Sequence, residues 1–120
     1  MIDHIVIRVS DLAASKAFYE QALAPLGLAV LMEFPGTVGI GRNGKPGFWL
    51  REGAPGDAVH VAFGADRATV DAFHAAALEA GATDNGGPGM REIYHPHYYG
   101  AFVLDPDGHN IEAVCHTAEG

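Results

Sequence analysis

VHVAFGADRATVDAFHAAALEAG, residues 59–81, repeats the pattern of an earlier stretch, HIVIRVSDLAASKAFYEQALAPLG at residues 4–27. Each opens on an apolar-rich run that reads as a strand, followed by a capping residue: Ser10 or Asp11 in the first copy, Asp66 in the second. A helix then follows in both. Its apolar stripe is Leu12, Tyr19, Ala22, Leu23 and Leu26 in the first copy, and Val70, Phe73 and Ala77 in the second. Gly27 and Gly81 suit the helix ends.

Short strand-like runs come next. In the first half they are LAVLMEF (28–34), TVGIG (37–41) and GFWLRE (47–52), broken at Pro35-Gly36 and Asn43-Gly44. In the second half the signal is weak around Gly86 to Gly89, then sharpens at YGAFVLD (99–105) and NIEAVC (110–115). Asp105-Pro106-Asp107-Gly108 is the turn between these last two. Each half therefore reads β-α-β-β-β, joined by the Gly-, Pro- and charge-rich REGAPGDA (51–58). The expected fold is α+β: one domain over 1–120, with module one at 1–52 and module two at 57–117. One helix covers only one face of its sheet. Two modules side by side, helices outside, would form a paired, curved mixed sheet whose front faces enclose a cleft.

Bulk properties narrow the function. The chain has 120 residues, 48% hydrophobic and 18% charged, which suits a single folded core. A net charge of −8, with seven Lys+Arg and no basic run, argues against nucleic acid and anionic membrane as partners. Cys115 is the one cysteine, so no intramolecular disulfide forms, which fits a reducing compartment. Neither a signal peptide nor a long apolar span is visible, and a cytoplasmic protein is expected.

Strand alternation separates the two faces of each sheet. Ile5, Ile7 and Val9 form a helix-facing set, leaving His4, Val6 and Arg8 in front. Val59, Val61 and Phe63 likewise leave His60, Ala62 and Gly64 in front. In the last strand Ile111, Ala113 and Cys115 make the apolar set, with Asn110, Glu112 and Val114 opposite. A lone strand histidine is ordinarily a surface or core residue. Two at equivalent positions, with a carboxylate on the matching face of the last strand, point instead to a shared metal site at His4, His60 and Glu112. Two imidazoles and one carboxylate with open positions favour non-haem Fe2+, and Mn2+, Ni2+, Zn2+ or Co2+ are acceptable. The open positions let such an ion polarise a bound oxygen.

The chain resembles the vicinal oxygen chelate superfamily, which contains glyoxalase, fosfomycin- and bleomycin-resistance proteins and extradiol dioxygenases. The resemblance is carried by DHIVIRVSDLAASKAFYEQAL, VHVAFGADRATVDAFHAAALEAGA and YHPHYYGAFVLDPDGHNIEAVCH, the D-P-D-G-x-x-I-E ending being the most specific. It implies paired βαβββ modules around a metal cleft, often in a homodimer, with ligands on the first and last strands of each module. His4, His60 and Glu112 match three ligand positions. The fourth departs: aligning Gly44 with Gly108 puts Phe48 opposite Glu112, with Gly47 and Trp49 beside it, and none of these binds metal. That favours the three-ligand dioxygenase and resistance-protein branches. Phe48 and Trp49 are candidates to wall a substrate pocket or to be ordinary core.

The loop MREIYHPHYYG (90–100) gathers Arg91, Tyr94, His95, His97, Tyr98 and Tyr99 beside the Glu112 hairpin. His97, Tyr98 or Tyr99 is expected to act as acid or base, and the resemblance favours the tyrosines. Arg8 and Arg91 are candidates to bind a substrate carboxylate. His74 is expected to be structural, and His109 and His116 to be solvent-exposed. The reading is a small metal-dependent enzyme, a dioxygenase, lyase or isomerase, that chelates adjacent oxygens of a small substrate. The alternative is a resistance-type protein that sequesters a ligand without chemistry.

Overall fold

The computed structural model describes residues 1–54 and 56–118, so Pro55 of the predicted connection lies outside the described residues. Strand β1 (Ile5–Val9) leads into helix α1 (Leu12–Ala22), a 3-10 turn (Ala24–Leu26), and strands β2 (Ala29–Phe34), β3 (Thr37–Arg42) and β4 (Lys45–Glu52). The second half runs β5 (His60–Gly64), α2 (Arg67–Glu79), β6 (Thr83–Asp84), β7 (Gly89–Met90), β8 (Tyr99–Leu104) and β9 (Asn110–Cys115). Asp11 and Asp66 are the caps, each accepting from a backbone N–H three residues on. The first helix ends earlier than its apolar stripe suggests. Pro25 follows at the start of the 3-10 turn, which Gly27 closes at φ 76°.

Two separate mixed sheets result, with no closed barrel: β1-β4-β3-β2 and β5-β9-β8-β6, with β7 also paired to β8. In each, the first strand runs parallel to the last, which requires the helix as a crossover connection. Asn43-Gly44 makes the β3–β4 hairpin with both residues at positive φ, as a two-residue turn of that type demands. Where the sequence signal weakens, the strand breaks into the two-residue pieces β6 and β7. The Arg91 guanidinium holds the segment there, donating to the carbonyls of Gly87, Gly89 and Gly100 at 2.9, 2.9 and 2.8 Å.

The two halves share one core. Helix-side residues of both sheets meet in it: Phe48 of β4 lies edge-on to Phe63 of β5, ring centroids 5.3 Å apart, and to Tyr19 of α1 at 5.1 Å. The stripe of α2, Val70, Phe73 and Ala77, is wholly buried. No helix among the described residues is long and apolar enough to cross a membrane.

The D-P-D-G turn ties this core together, a role its sequence does not announce. Asp105 is buried, with Oδ1 accepting from the N–H groups of Asp107 and His109 at 2.9 and 2.8 Å and Oδ2 accepting from the Tyr19 hydroxyl. Burial, then the adjacent carboxylate, pushes the Tyr19 phenol well above its usual range, so it remains a donor. His109 corrects the expectation of an exposed turn residue: it is 5% exposed. Its Nδ1 accepts from Val59 N at 3.0 Å, so Nε2 carries the proton and donates to Arg8 O at 2.9 Å, bridging the two halves. Tyr19→Phe leaves a buried carboxylate oxygen without its donor. An expected loss of about 1.5–3 kcal/mol follows, read as a lower urea midpoint at unchanged slope. An unchanged midpoint would show that the bond contributes nothing.

Candidate functional site

Glu112 lies in β9, the strand flanked by β5 and β8, opposite Ala62 on one side and Phe102 on the other. Residues of both faces of β9 are buried there, and the carboxylate is fully buried although it points away from the helix side. A carboxylate in such a place is costly unless each oxygen is engaged. Both are. His60 Nε2 lies 2.7 Å from Oε1, and Tyr98 donates its hydroxyl to Oε2. The His60 side chain is itself 53% exposed, so one flank of this pair meets solvent.

Tyr98 is held from several sides. Its ring lies 4.8 Å from that of Tyr94, 5.2 Å from His95 and 5.4 Å from His116. Gly100 makes the approach possible: a Cβ there would lie 3.1 Å from Tyr98 Cε1 and 3.3 Å from Glu112 Oε2. Burial first, then the hydrogen bond to Glu112, raises the Tyr98 phenol well above 10, so it stays protonated and donating across the neutral range.

The structure distinguishes the two tyrosines. Tyr99 turns to the helix side, donating to Asp71 Oδ1 at 2.5 Å with Arg67 over its ring, while Tyr98 alone reaches Glu112. His97 is exposed and its backbone N–H meets His95 Nδ1 at 3.3 Å; among the described residues no hydrogen bond joins it to Glu112. Arg91 is engaged with its own backbone as described, and stacks on Phe102. His116 is exposed as expected, but its Nδ1 meets His95 Nε2 at 2.7 Å, a pairing between distant segments that no local spacing signals. His74 is structural, 3.0 Å from Asp84. The Gly86 N–H, then His74, holds that carboxyl below its usual value.

His4 is not brought to Glu112. It pairs with Asp3 at 2.8 Å and lines a recess of about 520 Å³ with Val6, Met32, Phe34, Trp49 and Arg51. His60 opens instead onto a recess of about 680 Å³ with Ile5, Ile40 and Phe48, residues of the opposite, helix-facing side of the first sheet. The two histidines thus line different recesses. Among the described residues no group of three or more His, Cys, Asp or Glu side chains is placed to hold a metal ion. Phe48 and Trp49 divide in the same way, because adjacent strand residues point oppositely. Phe48 is 3% exposed in the core, whereas Trp49 faces the His4 recess, its ring over Gly39 and nearly parallel to Phe34 at 6.4 Å.

His60 and Glu112 nonetheless fit a divalent ion as far as they go. Imidazole nitrogen and carboxylate oxygen are both donor types a divalent ion takes, and here Nε2 and Oε1 lie 2.7 Å apart as a hydrogen-bonded pair. A buried carboxylate beside a half-exposed imidazole would give such an ion an anchored anionic ligand with an open flank.

Comparison with known proteins agrees with the topology. The family model of the glyoxalase/bleomycin resistance protein/dioxygenase superfamily matches residues 1–113. A glyoxalase/bleomycin resistance protein from Albidiferax ferrireducens is 28% identical, with a TM-score of 0.82 over 96% of this chain and 98% of that one. A glyoxalase/bleomycin resistance protein/dioxygenase family enzyme from Burkholderia phytofirmans is 22% identical, at TM-score 0.75 over 97% and 98%. A glyoxalase-related enzyme from Fulvimarina pelagi is 21% identical, at TM-score 0.70 over 96% and 87%. The last two are likenesses of fold alone. No curated protein matches the chain. With the family model covering nearly its whole length, the chain belongs to the glyoxalase/bleomycin resistance protein/dioxygenase superfamily.

Proposed function

We propose that the protein is a metal-dependent enzyme acting on a small substrate through two adjacent oxygens. Its divalent ion is held by His60 and Glu112 of one copy and His4 of a second. The observation that carries the reading is the buried Glu112 between an imidazole and a phenol. The separation of His4 from that pair within one chain favours a homodimer in which each copy completes the other's site. The ligand types favour Fe2+ and accept Mn2+, Ni2+, Zn2+ or Co2+. When bound, such an ion supplies Lewis acidity toward a substrate oxygen. Tyr98 has a separate role: its hydroxyl donates to Glu112 Oε2 and so orients the carboxylate that would hold the ion. The reaction is a dioxygenation, a lyase step or an isomerisation, in the cytoplasm.

Elemental analysis after chelator-free purification tests this, together with a screen of diols, α-hydroxy-ketones and hemithioacetals. Near-stoichiometric metal and turnover of one class are expected. A metal-free protein that turns over none of them would overturn the reading.

A second reading, ligand sequestration without chemistry, draws on the Phe34–Trp49 pair. Two nearly parallel rings at an open recess offer a planar apolar ligand a surface. Tight binding with no metal and no turnover would select it.

A further inference from the structure

Five of the seven cations have bound partners. Lys16 pairs with Glu33 and Lys45 with Asp3; Arg42 reaches Leu26 O, Arg67 reaches Thr117 O, and Arg91 holds its loop carbonyls. The side chains of Arg8 and Arg51 have no hydrogen bond or ion pair among the described residues. These two are direct register partners on the parallel strands β1 and β4, so their side chains leave the same face side by side. Like charges directly opposite one another on a sheet are destabilising. In a chain of net charge −8, with fifteen Asp+Glu to choose from, the two unpartnered cations are neighbours. Asp57 lines the same recess, yet forms no ion pair with either.

Their surroundings indicate what neutralises them. One step along the same face are Val6 and Trp49, again register partners, with Phe34 against Trp49 and His4 a step beyond. Gly53 gives the Arg8 stem room to lie flat: a Cβ there would come within 3.1 Å of Arg8 Cδ. Side chains two residues apart on one face are separated by about 6.8 Å. From the arginines past Trp49 to His4 is therefore roughly 13 Å, the reach of a one- or two-ring arylalkanoic acid.

We infer that Arg8 and Arg51 form an anion subsite that receives the carboxylate of an aromatic acid whose ring lies against Trp49 and Phe34. This rests on the proposed cleft for its link to catalysis, and names the substrate class of that cleft. Guanidinium groups suit this role because each offers a fork of donors matched to a carboxylate.

Trp49 is the one tryptophan, so its emission reports occupancy directly. In chelator-treated protein, 3-phenylpropionate is expected to change Trp49 fluorescence saturably, and its neutral amide to bind at least about tenfold more weakly. Arg8→Gln and Arg51→Gln should each lower affinity about tenfold, and the double variant should abolish saturation. Each single variant should melt no lower than the parent, because it relieves a repulsion. Equal binding of acid and amide, binding that survives the double substitution, or a lower melting temperature in either single variant would overturn the subsite. Because the assay contains no metal, failure of the metal reading leaves its result intact. Failure of the subsite likewise leaves metal retention untouched.

Discussion

Glu112→Gln is expected to empty the protein of metal and to lower turnover by more than about a hundredfold, with little change in stability. The two effects separate because the substitution keeps shape and both hydrogen-bond partners while removing charge. Gln presents a carbonyl that can still accept from Tyr98, and its amide N–H can donate to His60 Nε2 in the tautomer protonated at Nδ1. A neutral amide in a fully buried position also avoids the desolvation of a carboxylate. Unfolding free energy should therefore stay within about 1 kcal/mol of the parent. As an ion ligand, by contrast, Glu112 is the sole anionic member of the proposed set, and an amide oxygen does not replace it. Elemental analysis and urea unfolding on the same preparations give the comparison. Full metal content in Glu112→Gln, or a large loss of stability with metal retained, would make the buried carboxylate a structural element.

Repeat periodicity made the fold legible. Strand alternation in IVIRV predicts that Ile7 and Val9 meet the helix side, and helical spacing predicts the stripe Val70, Phe73 and Ala77. All five are buried, whereas Val59, predicted for the same side of the matching strand, is exposed. Local chemistry also located the cap at Asp66, narrowed the first to Ser10 or Asp11, of which Asp11 caps, and marked the break at Asn43-Gly44. What stayed hidden depends on contacts between segments far apart in sequence. Nothing around Tyr19 says that its hydroxyl meets Asp105, and His109 in a polar turn reads as exposed until Val59 and Arg8 close over it. The candidate site divides along the same line. Sequence pattern placed His60 and Glu112 on one face of one sheet, where they meet. Choosing Tyr98 over Tyr99 needed the register of β8 against β9, which turns Tyr99 toward Asp71. How the two modules pack is a matter of core geometry, and the Phe48–Phe63 contact separates the front faces that repeat symmetry alone would bring together.

That separation makes a mixing experiment decisive. His4→Ala alone and Glu112→Ala alone should each be devoid of bound metal and activity. Co-refolded or co-expressed in equal amounts, they are expected to recover about a quarter of the parent's sites. The fraction follows from symmetry. A site shared across a two-fold axis draws His4 from one copy and His60 with Glu112 from the other. In a mixed dimer, the His4→Ala copy still carries His60 and Glu112, and the Glu112→Ala copy still carries His4. One of the two sites is then whole and the other lacks both groups. Random pairing makes half the dimers mixed, hence a quarter of all sites. His60→Ala mixed with Glu112→Ala gives no such rescue, because both groups come from the same copy in every site. Recovery in the first mixture and none in the second requires His4 to act across the interface. No recovery in either, with dimers verified by mass, would confine the site to one chain and leave His60 and Glu112 to work without His4.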